Sequence, residues 1–198
     1  TAEPLPPGLL DDASRMSATP VADLVHVRDQ VDLKEAMERA NREQRPVAVA
    51  GGQLSMGAQS MVADGIVLDM TGYALVRYKP DREVLVAGAG ARWREVLAEA
   101  DRYGRSPSIA PCMADATVGG TLSANAYGWQ VGKPPLSAGV RELLVMLADG
   151  AFWRCSREQN AELFSAVLGG FGLFAVIVEA TLDTVANRAC RIETELLP

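Results

Sequence analysis

Two short stretches hold the residue types that could grip a polar ligand. Residues 50–60 read AGGQLSMGAQS and residues 117–128 read TVGGTLSANAYG, and neither carries a charge in a chain of formal net charge −6. Glycine lets the main chain turn through positive φ and lets a ligand approach without a Cβ in the way. Successive exposed N–H groups then form an anion nest. The first stretch offers the main chain of Gly51, Gly52, Gln53, Leu54, Ser55, Met56 and Gly57. The second offers amides at Gly119, Gly120 and Thr121, and side chains at Thr117, Thr121, Ser123 and Asn125. Together they are expected to hold a pyrophosphate and a polar ring system.

Other chemistries lack their residues. There is no GxxxxGKS or GxxxxGKT, hence no P-loop. GAGARW at 88–93 resembles a dinucleotide turn but lacks the last glycine and an acidic ribose partner. The acidic balance and the absence of a Lys/Arg cluster argue against nucleic acid. Cys112, Cys155 and Cys190 form no CxxC, so neither a metal site nor a disulfide framework is expected. His26, the single histidine, falls in a lead-in strand and is expected to be structural or on the surface. No apolar run is long enough to span a bilayer. The opening TAEPLPPGLLDD has neither a basic nor an apolar leader region. The expectation is a soluble chain, cytoplasmic or exported after signal removal, with the compartment left open.

Hydrophobic periodicity shows which elements must position these stretches. VADLVHV at 21–27 reads as a short strand. DQVDLKEAMERANREQ places Leu33, Ala36, Met37 and Ala40 on one helical face, with Asp32 or a neighbour as cap. PVAVA at 46–50, GIVLDM at 65–70 and EVLVAGAG at 83–90 read as strands, the last leading into a helix closed by Gly104. SIAPCMADATVGGTLSANAYG reads as long and irregular. RELLVMLADGAFWRCS reads as a hairpin turning at Asp149–Gly150. NAELFSAVLGG reads as a short glycine-capped helix, and FGLFAVIVEATLDTV as a long closing strand. Hairpin-linked strands outnumber helices, which makes the class α+β. Trp93 and Trp153 are expected in the core, and Met56, Met61, Met70 and Met113 as packing filler. Trp129 and Tyr127 are expected to face the ligand, and Lys133 and Arg141 to be solvated.

In this order the segments resemble the FAD-binding domain of the vanillyl-alcohol oxidase / p-cresol methylhydroxylase superfamily, the PCMH-type FAD-linked oxidases. The resemblance rests on RPVAVAGGQLSMGAQ with GIVLDM, on EVLVAGAGARWREVLAEADRYG, on ATVGGTLSANAYG, and on VRELLVMLADGAFWRCSREQNAELFSAVLGGFGLFAVIVEATLDT. It covers residues 18–185. It implies two α/β subdomains, a small parallel sheet within about 18–75 and a larger antiparallel sheet within about 76–185, with FAD between them. Residues 1–17 would then be an N-terminal arm, and 186–198 a tail or the start of a further substrate domain.

The resemblance also implies site residues. Gly51 to Gly57 would cradle the pyrophosphate. The stretch from Pro111 to Gly128 would line the ribityl chain and isoalloxazine, through Thr117, Val118, Gly119, Gly120, Thr121, Ser123, Ala124 and Asn125. Gly170, Gly172, Val176 and Ile177 would lie near the adenosine half. The implied activity is that of an FAD-dependent oxidoreductase, with hydride transfer from a small organic alcohol or hydroxy acid to flavin N5. No catalytic base is assigned. Where many relatives carry a flavin-linked histidine, in a GGxHxMGG pattern, this chain has Leu54. Cys112 lies near the cysteine other relatives use but about one residue out of place. Non-covalent FAD is therefore expected. Family enzymes usually carry a substrate domain after this one, so that domain or a partner chain is expected to complete the site. The alternative is a flavin-binding or flavin-degenerate subunit acting as an interaction module.

Overall fold

A computed structural model describes residues 6, 8–128, 130, 132–188 and 193–194. The expectation for Trp129, and the cysteine at 190, lie outside the described residues. The chain opens with two short strands, β1 (Leu9–Leu10) and β2 (Thr19–Pro20), paired antiparallel. Then come β3 (Asp23–His26), α1 (Gln30–Glu43), β4 (Val47–Ala50) and β5 (Ile66–Asp69), which build a three-stranded parallel sheet in the order β3-β5-β4. Central β5 buries Ile66, Val67 and Leu68, whereas edge strand β3 carries Asp23 and His26. Helix α1 buries Leu33, Ala36, Met37 and Ala40, the face its periodicity marks. Its N-cap is Asp29, not Asp32. Asp29 accepts from the N–H groups of Val31 and Asp32, while the Asp32 carboxylate is engaged by Arg28.

A 3-10 turn at Met70–Gly72 leads into the second half. This contains β6 (Val76–Lys79), β7 (Val84–Gly88), α2 (Trp93–Asp101), β8 (Arg105–Pro107), α3 (Val118–Ser123), β9 (Val140–Met146), β10 (Phe152–Ser156), α4 (Ala161–Val167) and β11 (Val176–Ala186). Five strands form an antiparallel sheet in the order β10-β9-β11-β7-β6, and β8 pairs with the far end of β11. The protein is thus α+β, with a small parallel and a larger antiparallel sheet. The β9–β10 hairpin turns at Asp149–Gly150, where Gly150 has φ +84° and the Asp149 carboxylate accepts from Ala151 N–H at 2.9 Å. Central strand β11 buries Val176, Ile177, Val178, Ala180 and Leu182, which accounts for the apolar residues that dominate its first half.

The two sheets share one core, and backbone meets backbone where they join. A Cβ on Gly90 would lie 1.8 Å from the Met70 carbonyl oxygen, and one on Gly88 would lie 2.2 Å from that of Tyr73. The GAGARW segment is therefore a close crossing of chains, and its glycines serve packing. The region after Pro111 is not wholly irregular: α3 forms there, with Thr117 as N-cap, and packs on β7 and β11. Trp93 is buried as expected, but Trp153 is 45% exposed, because β10 is an edge strand with one face in solvent. Met61 and Met70 are buried, whereas Met56 and Met113 are exposed. Arg141 pairs with Asp183 across the sheet, and Lys133 is exposed. Exposed His26 bonds through Nδ1 to the Asp69 carboxylate at 2.8 Å. Among the described residues no helix is long and apolar enough to cross a membrane, and no group of acidic, histidine or cysteine side chains could hold a metal.

Candidate functional site

A cavity of about 400 Å³ opens where the two sheets meet. The carboxyl end of β4 supplies Val49 and Ala50, and the loop that follows supplies residues from Gly51 to Ser60. Helix α3 forms the opposite wall, and Phe171, Gly172 and the start of β11 close the end. A loop beyond the carboxyl end of a parallel strand is the usual ligand position in such sheets. The two uncharged stretches converge here. A Cβ on Gly51 would sit 2.3 Å from Thr117 Oγ1, so only glycine lets the loop pass the helix cap.

The first loop turns differently from the sequence expectation. Its positive φ values fall on Gln53 (+52°) and Ala58 (+59°), and not on its glycines. The glycines are needed for space. Among the described residues, the N–H groups from Gly52 to Met56 donate to no protein acceptor, whereas Gly57 N–H donates to Gln59 Oε1 and Ala58 N–H to Asp12. The hydroxyls of Ser55 and Ser60 are buried and have no hydrogen-bond partner. Buried polar groups left unpaired are costly, so these hydroxyls and free N–H groups mark the wall as a candidate place for a polar ligand.

The second stretch is a correction. Its amides are spent within the protein: Val118 N–H donates to Ala91 O and Gly119 N–H to Ala89 O, each at 2.8 Å, and Thr121 N–H donates to Thr117 O at 3.1 Å. Gly120 N–H points at the Thr117 hydroxyl. Thr121 Oγ1 accepts from the buried Trp93 indole at 2.8 Å and lies 3.0 Å from two carbonyls. The stretch offers the cavity a smooth helical wall instead of a nest of donors, because its helical N–H groups are taken up within α3 and its cap and by the carbonyls of Ala89 and Ala91, which follow β7.

The cavity wall contains Gly51, Gly52, Gln53, Leu54, Ser55, Met56, Thr117, Gly119, Gly120, Thr121, Ser123, Ala124, Gly172, Val176 and Ile177. Off the wall lie Gly57, Val118, which is fully buried in the core, and Asn125, whose amide oxygen accepts from Ser137 N–H. Pro111 and Gly128 pair with each other outside it, and Gly170 packs against the Ala166 carbonyl. Among the wall residues that sequence reasoning missed are Gln59, Ser60, Met70, Ala89, Ala116 and Phe171. Ser60 had a signal, since it closes the same uncharged stretch. Gln59 shares that signal, and the others are apolar residues that only the fold brings here. Among the described residues no ionisable side chain lines the cavity. Exposed Cys112 lies off the wall, and buried Cys155 has its thiol pushed up to about 11 by burial and then by Glu142.

Orphan hydroxyls, a run of free N–H groups and an apolar slot fit a dinucleotide whose diphosphate needs donors and whose rings need flat apolar walls. Comparison with known proteins agrees. Residues 21–156 match the family model described as FAD binding domain. The chain is 38% identical to cytokinin dehydrogenase 2 of Arabidopsis thaliana over 146 residues, 72% of this chain and 29% of that protein. It is 34% identical to an uncharacterized oxidoreductase in the fasciation locus of Rhodococcoides fascians over 166 residues, 83% of this chain and 38% of that one. Cytokinin dehydrogenase 9 of Oryza sativa subsp. japonica is 32% identical over 179 residues, 86% of this chain and 34% of that one. The chain therefore spans about a third of the length of these relatives. It belongs to the FAD binding domain family, within the PCMH-type superfamily of FAD-linked oxidases, and its cofactor is FAD.

Proposed function

We propose that the chain is the cofactor-holding part of an FAD-linked oxidoreductase, and that FAD lies non-covalently in the cavity between the two sheets. The observation that carries this reading is the wall from Gly52 to Ser60, with, among the described residues, five consecutive N–H groups free of protein acceptors and two buried hydroxyls without partners. The diphosphate would rest there, where N–H dipoles can hold it by hydrogen bonds without a nearby side-chain cation. Thr117, Gly119, Gly120, Ser123 and Ala124 would flank the ribityl chain and ring, and Gly172, Val176 and Ile177 the adenosine half. Non-covalent binding is supported by Leu54, which has no nucleophile, and by the position of Cys112 off the wall.

Bound FAD supplies a two-electron acceptor at flavin N5. The part left to this chain is to hold that ring against a dry apolar face and keep the diphosphate fixed. For the whole protein, the donor is a small organic alcohol or hydroxy acid, and a cytokinin joins these candidates because several relatives carry that name. Since no ionisable side chain among the described residues lines the cavity, the proton acceptor would come from a substrate-binding domain or a partner chain. The same uncharged wall favours one rival, a flavin-holding subunit with no turnover of its own. Bleaching of the flavin by candidate donors in the whole protein, or its absence, separates the two.

The test of the reading is a visible spectrum of the chain purified after incubation with FAD, before and after acid precipitation. The expected result is flavin absorbance bound to the protein and released completely by acid. A colourless protein that takes up no FAD would overturn the reading, and colour retained in the acid pellet would overturn its non-covalent part.

A further inference from the structure

The N-terminal segment is not a loose lead-in. Strands β1 and β2 pair, and the residues between them fold into a tip that reaches the back of the first cavity loop. At that tip Asp12 is only 3% exposed, although it is a carboxylate. Its Oδ1 accepts from Ser14 N–H at 2.9 Å and Ser14 Oγ at 2.6 Å, and its Oδ2 accepts from Ala58 N–H at 2.8 Å. The neighbouring Ala13 N–H donates to Ser55 O at 3.1 Å. The tip therefore holds both ends of the segment Ser55–Ala58.

Ala58 sits at φ +59°, a left-handed conformation that disfavours a residue bearing a Cβ and persists when its surroundings over-determine it. The Asp12 carboxylate supplies that determination through the Ala58 N–H. It acts from behind: Asp12 is absent from the cavity wall, and its charge is already engaged by three donors. An anion at this place thus organises an anion site without facing it.

We infer that Asp12 is a positioning residue for the cofactor: by pinning Ser55–Ala58 from the N-terminal hairpin, it pre-organises the loop whose free N–H groups take the FAD diphosphate. This rests on the reading that the first loop is the seat of that diphosphate. Pre-organisation lowers the ordering cost of binding, so losing the pin weakens FAD without touching any group that contacts it.

The test compares the 198-residue chain with Asp12→Ala and Asp12→Asn, measuring FAD affinity by quenching of flavin fluorescence and amide exchange along the chain. Asp12→Ala is expected to weaken FAD about tenfold or more, the scale of a lost hydrogen bond to a charged group. Exchange at Ala58 rises while β9 and β11 stay protected. Asp12→Asn keeps an acceptor oxygen in place and recovers most of the affinity, which general damage to the fold would not allow. Wild-type affinity in Asp12→Ala, or affinity lost equally in both variants, overturns the positioning role. The underlying reading is tested separately in the wild-type chain: if bound FAD does not slow exchange from Gly52 to Met56, the loop is not its seat. If it does and Asp12→Ala binds normally, only the role of Asp12 falls.

Discussion

Thr117 Oγ1 and Gly51 compete for one place. The hydroxyl caps α3, and a Cβ on residue 51 would come within 2.3 Å of it. Gly51→Ala must therefore displace the Thr117 side chain and lose that cap, costing about 1 kcal/mol of stability, as cap removals do. Thr117→Ala costs a similar amount and also opens the space. The two changes share one cause, so their costs do not add. In chemical denaturation the double variant is expected to be nearer to either single variant than to their sum, and a fully additive result would mean that the loop and helix do not touch. Asp12 gives a pH signature at the same scale. Hydrogen bonds from the Ser14 hydroxyl and then the Ala58 amide hold its carboxyl below the ordinary value of 3.8. A folded-state pKa lowered in this way adds stability that is whole above the unfolded value and lost as pH falls through the folded one. Ala58 exchange protection, corrected for intrinsic rates, is therefore expected to be level from neutral pH down to about 4 and to fail below it, and Asp12→Asn is expected to remove that acid limb. Protection that already declines between pH 7 and 5 would contradict the assignment.

At the scale of elements, long periodic segments were legible and short context-dependent ones were not. The face of α1, the hairpin at Asp149–Gly150 and the apolar run of β11 follow from pattern alone, because burial on one side, a tight turn and burial on both sides each leave their own mark. Helix α3 left none. Its VGGTLS carries two glycines, each disfavoured in a helix by about 1 kcal/mol relative to alanine, and the sequence alone reads as loop. Tertiary contact overrides propensity here: Gly119 is held 2.8 Å from the Ala89 carbonyl through its N–H, and a Cβ on it would sit 2.8 Å from the Ala89 Cβ. The site reading inherited that error: among the described residues, the N–H groups from Gly52 to Met56 are free of protein acceptors, whereas those at the start of α3 are engaged. Edge strand β6 and the short β8 were missed because three or four residues carry too little alternation. The crossing at Gly90 makes a prediction of its own. A Cβ there meets the Met70 carbonyl at 1.8 Å, and neither backbone can give way. Gly90→Ala is expected to cost about 3 kcal/mol, the upper range for overpacking, and clearly more than Gly51→Ala, where a side chain can rotate. Equal thermal shifts for the two would show that the sheets can separate at that point.

Across the whole molecule, the two sheets meet over one continuous core and leave a cofactor-sized gap at one end of their junction. The gap has a donor wall from the parallel half, a closed helical wall from the antiparallel half, and a clamp from the N-terminal hairpin. This division of labour suits a domain of the FAD binding family. The resemblance was legible in the order of four segments, but which wall carries the donors was not, since the N–H groups of both stretches look alike until their partners are known. A structure of the chain with FAD bound tests the central claim most directly. The account predicts diphosphate oxygens within about 3 Å of at least two main-chain nitrogens between Gly52 and Met56, with a Ser55 or Ser60 hydroxyl also bonded. A diphosphate resting on α3 or outside the cavity, with those nitrogens still free, would contradict it.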